Sequence, residues 1–216
     1  MGLAAGVDAA LTARALGAWV NVPAYGVTNL NVCDSGWLPA TGAADQSASE
    51  TSYYAPGTLY MDHGTARGHS HDNCDNDDDA VVDLGNTVLM PGYESEVSFG
   101  SLKHRDHDEC CNPGPDDYTA TEFTDLMFAG MPVTVTGLPD QEVVIAGVGT
   151  LVLNERRRHH DRHDCDDDAF IHNSLHLYLA AGGEIIAGST IFHRDDNCCG
   201  TPSARPSWGT LKIRYR

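Results

Sequence analysis

Imidazole, carboxylate and thiol side chains occur in this chain as two clustered sets that share one order. The first set runs His69-Ser-His71-Asp-Asn-Cys74-Asp75-Asn-Asp77-Asp-Asp79-Ala80 and resumes at His104-Arg-Asp106-His107-Asp-Glu-Cys110-Cys111. The second runs His159-His160-Asp-Arg-His163-Asp-Cys165-Asp166-Asp-Asp168-Ala169 and resumes at His193-Arg-Asp195-Asp-Asn-Cys198-Cys199. These three groups are the usual protein ligands of metal ions. His-x-His and Asp-x-Asp spacing on an extended chain places alternate side chains on one face. His69 with His71, and Asp75 with Asp77 and Asp79, meet that condition, whereas His104 and His107 need a turn to converge. The candidate ligands are therefore His69, His71, Asp75, Asp77, Asp79, His104, Asp106 and His107 in the first set. In the second they are His160, His163, Asp166, Asp168, His193 and Asp195.

The segments between clusters decide whether the clusters meet. Phe170 to Leu179 (FIHNSLHLYL) places Ile171, Leu175, Leu177 and Leu179 on one side of a period-2 pattern; Gly182-Gly183 follows, then Glu184 to Phe192 (EIIAGSTIF). Two apolar runs around Gly-Gly read as a β-hairpin. Val81 to Met90, a turn at Pro91-Gly92, and Glu94 to Leu102 repeat the plan. Hairpins over 80–103 and 169–192 bring Cys74 to Cys110 or Cys111, and Cys165 to Cys198 or Cys199. Disulfides at those places leave imidazole and carboxylate as donors, which suit a transition metal such as Zn²⁺ or Cu²⁺ first and Ca²⁺ second. No C-x-x-C zinc spacing occurs, which favours disulfides over thiolate ligation.

Nothing in the chain singles out a catalytic set. There is no H-E-x-x-H, no G-x-S-x-G and no nucleotide-binding glycine loop. His172 and His176 fall on the outward face of a strand and read as surface residues. A metalloenzyme or a metal-sequestering protein built on the same clusters is the alternative to a structural role.

The 216 residues carry 31 acidic against 13 basic side chains, a net charge of −18. That excludes phosphate-backbone binding and with it nucleic acid as a partner. Seven cysteines in a short chain point to an oxidising, extracellular or cell-surface location. No run approaches the roughly 18 apolar residues of a spanning helix, and no charged stretch followed by an apolar one marks a signal peptide.

Short β runs, 22 Gly and 10 Pro, with little helical periodicity, predict an all-β chain: an antiparallel β-sandwich or jelly-roll with an internally repeated hairpin. Ala18 to Val32 alternates and breaks at Pro23; 34–58 is a loop or edge region; 131–155 is a run of strands; 208–216 reads as a last strand. A sandwich domain over 21–216 with repeats at about 58–125 and 131–205 follows an N-terminal segment, 1–20, available to a neighbouring subunit.

The stretch MPVTVTGLPDQEVVIAGVGTLVLNE (131–155), with NSLHLYL (173–179), EIIAGST (184–190) and GWLPATGAADQSAS (36–49), resembles the actinobacterial family called choice-of-anchor P. That resemblance covers about half the chain and implies a secreted or surface β-domain without an established activity. The His/Asp/Cys loops stand where the family usually has short polar loops. Together these readings predict a secreted structural or adhesive protein that associates with itself.

Overall fold

The computed structural model describes residues 11–38, 44–70, 77–109, 118–160 and 167–195. The strands are, in chain order, β1 (Leu11–Val22), β2 (Val27–Asp34), β3 (Ala44–Glu50), β4 (Tyr53–Ala55), β5 (Leu59–Met61), β6 (Gly64–Ser70), β7 (Asp77–Leu84), β8 (Thr87–Leu89) and β9 (Val97–Phe99). They continue with β10 (Ser101–Glu109), β11 (Tyr118–Thr124), β12 (Met127–Phe128), β13 (Met131–Pro132), β14 (Gln141–Ile145), β15 (Gly149–His160), β16 (Asp167–Leu179) and β17 (Glu184–Asp195). A 3-10 turn at Pro23–Tyr25 separates β1 from β2, because proline fixes φ and removes the amide that a longer strand would need.

Three antiparallel sheets result, ordered β14-β15-β16-β17-β1-β2, β11-β10-β7-β6-β3 and β13-β12-β9-β8-β5-β4. The second and third continue one another. Leu102 lies opposite Leu84 in one and Phe99 opposite Thr87 in the next, without loss of register. The same holds for Gly64 opposite Leu84 and Met61 opposite Thr87. Five long strands thus bend together at a transverse line through Ser52, Asp62, Asn86, Gly100 and Asp125. The first expected hairpin is real but folded across this line: β7 and β10 belong to one sheet, β8 and β9 to the next.

A matching line crosses the first sheet through Asn154, Ser174, Gly188, Gly17 and Cys33, whose neighbours pair in register on both sides. Asn154, Gly188 and Cys33 have positive φ, at 54°, 66° and 52°. Such residues rotate the pleat, so inward and outward exchange places. Leu175, Leu177, Ile185 and Ala187 are buried on odd numbers before the line, and Thr190 and Phe192 on even numbers after it. Ile171 therefore does not share a face with Leu175, which corrects the single period-2 reading of that strand.

The two layers meet through these lines. A Cβ on Gly188 would stand 2.7 Å from Leu102 Cδ2, and one on Gly17 would stand 3.3 Å from Leu84 Cδ2. On one side of the lines the interior is large and apolar: Leu59, Leu89, Phe128, Leu151, Leu153 and Leu177 are all fully buried. On the other side it narrows to Ala13, Ala15, Ala66 and Ala80 with His104, Asp106 and Thr190. Cys33, 4% exposed, is a free thiol in this core. Burial, with the nearby Glu50 charge, pushes its thiol up to about 11.

The sandwich has two unlike poles. At one, short turns join strands, as at Met90–Glu96, Ile145–Val148 and Leu179–Gly183. At the other stand the described ends of β1, β3, β6, β7, β10, β11, β15, β16 and β17. Leu11 pairs with Arg194, Ser70 with Asp78, His107 with Tyr118, and His160 with Asp168. The contacts between layers, Leu102 near Gly188 and His104 bonded to Thr190, align these ends at the same pole. Residues 11–20, expected as an exchangeable segment, lie in β1, hydrogen-bonded on both sides to β17 and β2 of its own chain.

Candidate functional site

At the cluster pole, strand register places His69, Asp79 and His107 in one row across β6, β7 and β10, with Asp45 of β3 beside His69. Asp45 Oδ1 holds His69 Nδ1 at 2.7 Å, and Asp79 Oδ1 holds His107 Nδ1 at 2.9 Å. A carboxylate on one ring nitrogen is the usual device for orienting a metal-ligating imidazole. In the other sheet the backbone pairs His160 with Asp168 and Asp168 with Arg194, while His193 lies opposite Ala169. Asp77 pairs with Glu109, and Asp167 with Asp195. His71, Asp75, His163, Asp166, Cys74, Cys110, Cys111, Cys165, Cys198 and Cys199 lie outside the described residues. Among the described residues no group of three or more His, Cys, Asp or Glu side chains is close enough to hold a metal ion.

His104 and His107 do not converge. β10 runs straight from Ser101 to Glu109, so the two imidazoles occupy opposite faces. His104 and Asp106 instead point between the sheets, exposed by only 1% and 4%. Thr190 Oγ1 donates to Asp106 Oδ2 at 2.8 Å, so its oxygen accepts from His104 Nε2 at 3.0 Å. The other nitrogen, Nδ1, accepts from Thr121 Oγ1 at 3.0 Å. Both nitrogens of His104 are thereby occupied by hydroxyls, which corrects its assignment as a ligand at the hairpin end. Thr119 donates to Asp106 Oδ1 at 2.8 Å, and His172 Nδ1 lies 2.5 Å from Oδ2.

His172 is thus an inter-sheet residue. His176 lies on the outer face but is fully buried there. The pleat reversal at Ser174 brings Asn173 and His176 to the same side, three positions apart. Glu155 Oε2 binds His176 Nδ1 at 2.7 Å and accepts from Asn173 Nδ2 at 2.7 Å. Glu184 Oε2 holds His176 Nε2 at 2.8 Å. Tyr178 donates to Glu155 Oε1 at 2.9 Å and stacks on His176 at 3.9 Å; Arg157 bonds both Glu155 and Tyr178. Reading these two histidines as surface residues was wrong. Their partners come from β10, β11, β15 and β17, and the one signal in the chain is the Asn-Ser and Gly interruption inside apolar strands.

Burial alone would raise the Glu155 carboxyl; the bonds from His176, Asn173 and Tyr178 outweigh it and hold it at about 2. Burial would likewise raise Asp106, and the His172 bond and charge keep it below the ordinary carboxylate range. Burial pushes His104 down from 6.5 to about 4, so it is neutral at pH 7. Because its folded value is depressed, His104 contributes stability above pH 6.5 that is lost as pH falls through about 4. We expect denaturant titrations to show a loss of about 3 kcal/mol over that window. His104→Gln should flatten this limb, leaving a later loss as Glu155 protonates toward pH 2. An unchanged pH profile in His104→Gln would refute the assignment.

Beside this network lies a cavity of about 40 Å³ lined by His104, Thr119, Thr121, Arg156 and His172, among others. No protein-family model, no curated protein and no solved structure matches the chain.

Proposed function

We propose that this chain is a secreted or cell-surface structural protein of adhesive type, whose His/Asp loops bind divalent metal and which assembles with copies of itself. The observation that carries the reading is the gathering of both sets of cluster-bearing strand ends at one pole, with short turns at the other. Two similar clusters on one pole suit multivalent contact or cross-linking better than turnover of a substrate in one shaped pocket. His69 and His107, each with a carboxylate on Nδ1, and Asp79 between them are the described residues that would hold an ion in the first set. His160 and Asp168 are their register counterparts in the second. Zn²⁺ or Cu²⁺ fits this donor chemistry ahead of Ca²⁺. The resemblance to choice-of-anchor P domains supports an extracellular setting, and six of the seven cysteines fall in the same clusters. With β1 committed inside its own sheet, assembly would use residues 1–10 or the open edges at β14 and β2.

Elemental analysis of the native protein should find at least one divalent ion for each set of clusters. His107→Asn should remove the first, and binding should weaken below the ordinary histidine value of about 6.5, where protonated imidazole cannot ligate. Absence of stoichiometric metal would overturn the metal half of the proposal. A monodisperse monomer at high concentration, with metal present, would overturn the assembly half.

A further inference from the structure

The third sheet carries one transverse row on its outer face. Leu59, Met61, Leu89, Val97 and Phe128 fill the interior side of its strands, so the residues that alternate with them face out. Register sets these side by side: Tyr54 opposite Tyr60, Tyr60 opposite Val88, Val88 opposite Ser98, Ser98 opposite Met127, and Met127 opposite Pro132. None of the six is charged. Tyr54 is 64% exposed and Tyr60 41%. Two further exposed tyrosines stand beside that end of the row. Tyr93 lies over Gly57, in the turn from β4 to β5, where a Cβ would be 3.4 Å from its hydroxyl, and Tyr25 meets Tyr93 edge to face at 4.8 Å. Half of the chain's eight tyrosines thus crowd one end of the sandwich, exposed.

The dimensions and charge of the row select its occupant. It crosses five strand spacings, about 24 Å, and strands of two or three residues keep its width to about 10 Å. The resulting area, roughly 200–300 Å², is about a third of the ~800 Å² that each side of a stable protein interface needs. A second copy would also bring a net charge of −18 against −18, with no charge in the row to offset it. What fits is a narrow, neutral, extended chain. Neighbouring strands lie about 4.8 Å apart, close to the length of one β-linked pyranose unit, so the row accepts one sugar per strand. A pyranose with only equatorial substituents presents C–H bonds on both faces, and the negative face of a phenol ring attracts them. Strands turn by about 20–25° from one to the next, which a single saccharide chain can follow and a crystalline fibre surface cannot.

We propose that this row binds a single chain of an uncharged β-linked polysaccharide. Sugar rings stack on Tyr54 and Tyr60, and apolar contact continues over Val88, Met127 and Pro132. The inference names a partner for the adhesive part of the function proposed above and rests on that extracellular setting. It needs neither metal nor self-association, because the row lies toward the pole of short turns, where Met90–Glu96 joins two of its strands.

The test is calorimetric titration of the full chain with cellohexaose and with N-acetylchitohexaose, with and without EDTA. Saturable binding of at least one is expected, unchanged by EDTA and by added salt, since no charge takes part. Tyr54→Ala and Tyr60→Ala should each weaken it by about three- to tenfold, the loss of one stacked ring, with urea unfolding unaltered. Tyr60→Phe keeps the ring and should stay within about twofold of wild type. Val144→Ala, at a 65% exposed apolar position on the edge of the first sheet, should have no effect. Absence of saturable binding to both hexasaccharides, or equal losses in Tyr60→Phe and Tyr60→Ala, would overturn the proposal. So would tyrosine variants that disperse oligomers in light scattering and leave sugar binding intact, since the row would then be a contact between copies. A chain that binds metal and assembles but ignores both sugars refutes this inference alone.

Discussion

Asp106→Ala is expected to destabilise the folded protein by about 3–5 kcal/mol, the cost of leaving three hydrogen-bond donors between the sheets without their acceptor. The carboxylate is the common acceptor for Thr119, Thr190 and His172, and removing it leaves two hydroxyls and an imidazole in a site that water barely reaches. The loss should pass to His104, whose Nε2 depends on a Thr190 hydroxyl oriented by Asp106. Asp106→Asn keeps the size and one acceptor oxygen and should cost less, about 1–3 kcal/mol. In a double-mutant cycle with His172→Phe the two losses should fall well short of adding, because each removes the same hydrogen bond. Additive losses, measured by urea unfolding, would show that Asp106 and His172 act separately.

Gly188→Ala should be nearly as damaging through different physics. At φ 66° a side chain strains the backbone by about 1–2 kcal/mol. The added methyl also meets Leu102 Cδ2 at 2.7 Å and Ser174 Oγ at 2.9 Å, inside a close contact between layers. Overpacking of that kind costs about 1–3 kcal/mol, so the total is about 2–5 kcal/mol. Gly92→Ala separates the two contributions, since φ there is 81° but nothing lies within 4 Å of the new Cβ. It should lose only the backbone part. Equal losses at Gly92 and Gly188 would mean that the approach of the layers at Gly188 has no energetic weight.

The all-β class and the second hairpin were legible because FIHNSLHLYL, Gly-Gly and EIIAGSTIF are local signals: apolar runs bounded by a turn, paired in the structure from Asp167–Asp195 to Tyr178–Glu184. The break at Pro23 and the strands over 141–145 and 149–155 were legible for the same reason, whereas the first part of the expected run, 131–136, forms a strand only at Met131–Pro132. What escaped was the change of phase within strands. Ser174 sits where a two-residue beat would continue, and nothing adjacent to it announces that Asn154 and Gly188 in the neighbouring strands have positive φ. With the phase misread, His172 and His176 fell on the wrong face or in the wrong surroundings. His104 carried a better clue: it follows Leu102 by two and precedes Asp106 by two, so a polar pair continues the buried side of an apolar strand. Its meaning depends on Thr121 and Thr190, which lie 17 and 86 positions away.

The bending lines also restrict how this chain can change length. An ordinary β-bulge places an extra residue in one strand and leaves its partner short. Here Asn154, Ser174, Gly188, Gly17 and Cys33 stand abreast, one in each of five strands, and the pairings on both sides keep their register. Deleting Gly188 alone would shift half of β17 by one place against both neighbours and turn those side chains to the other face. Deleting the whole row would restore a single alternation through every strand at once. Strand length in this sandwich is therefore a collective variable, open to simultaneous change across a sheet and closed to change in one strand, so single insertions and deletions should survive only in the connections between strands.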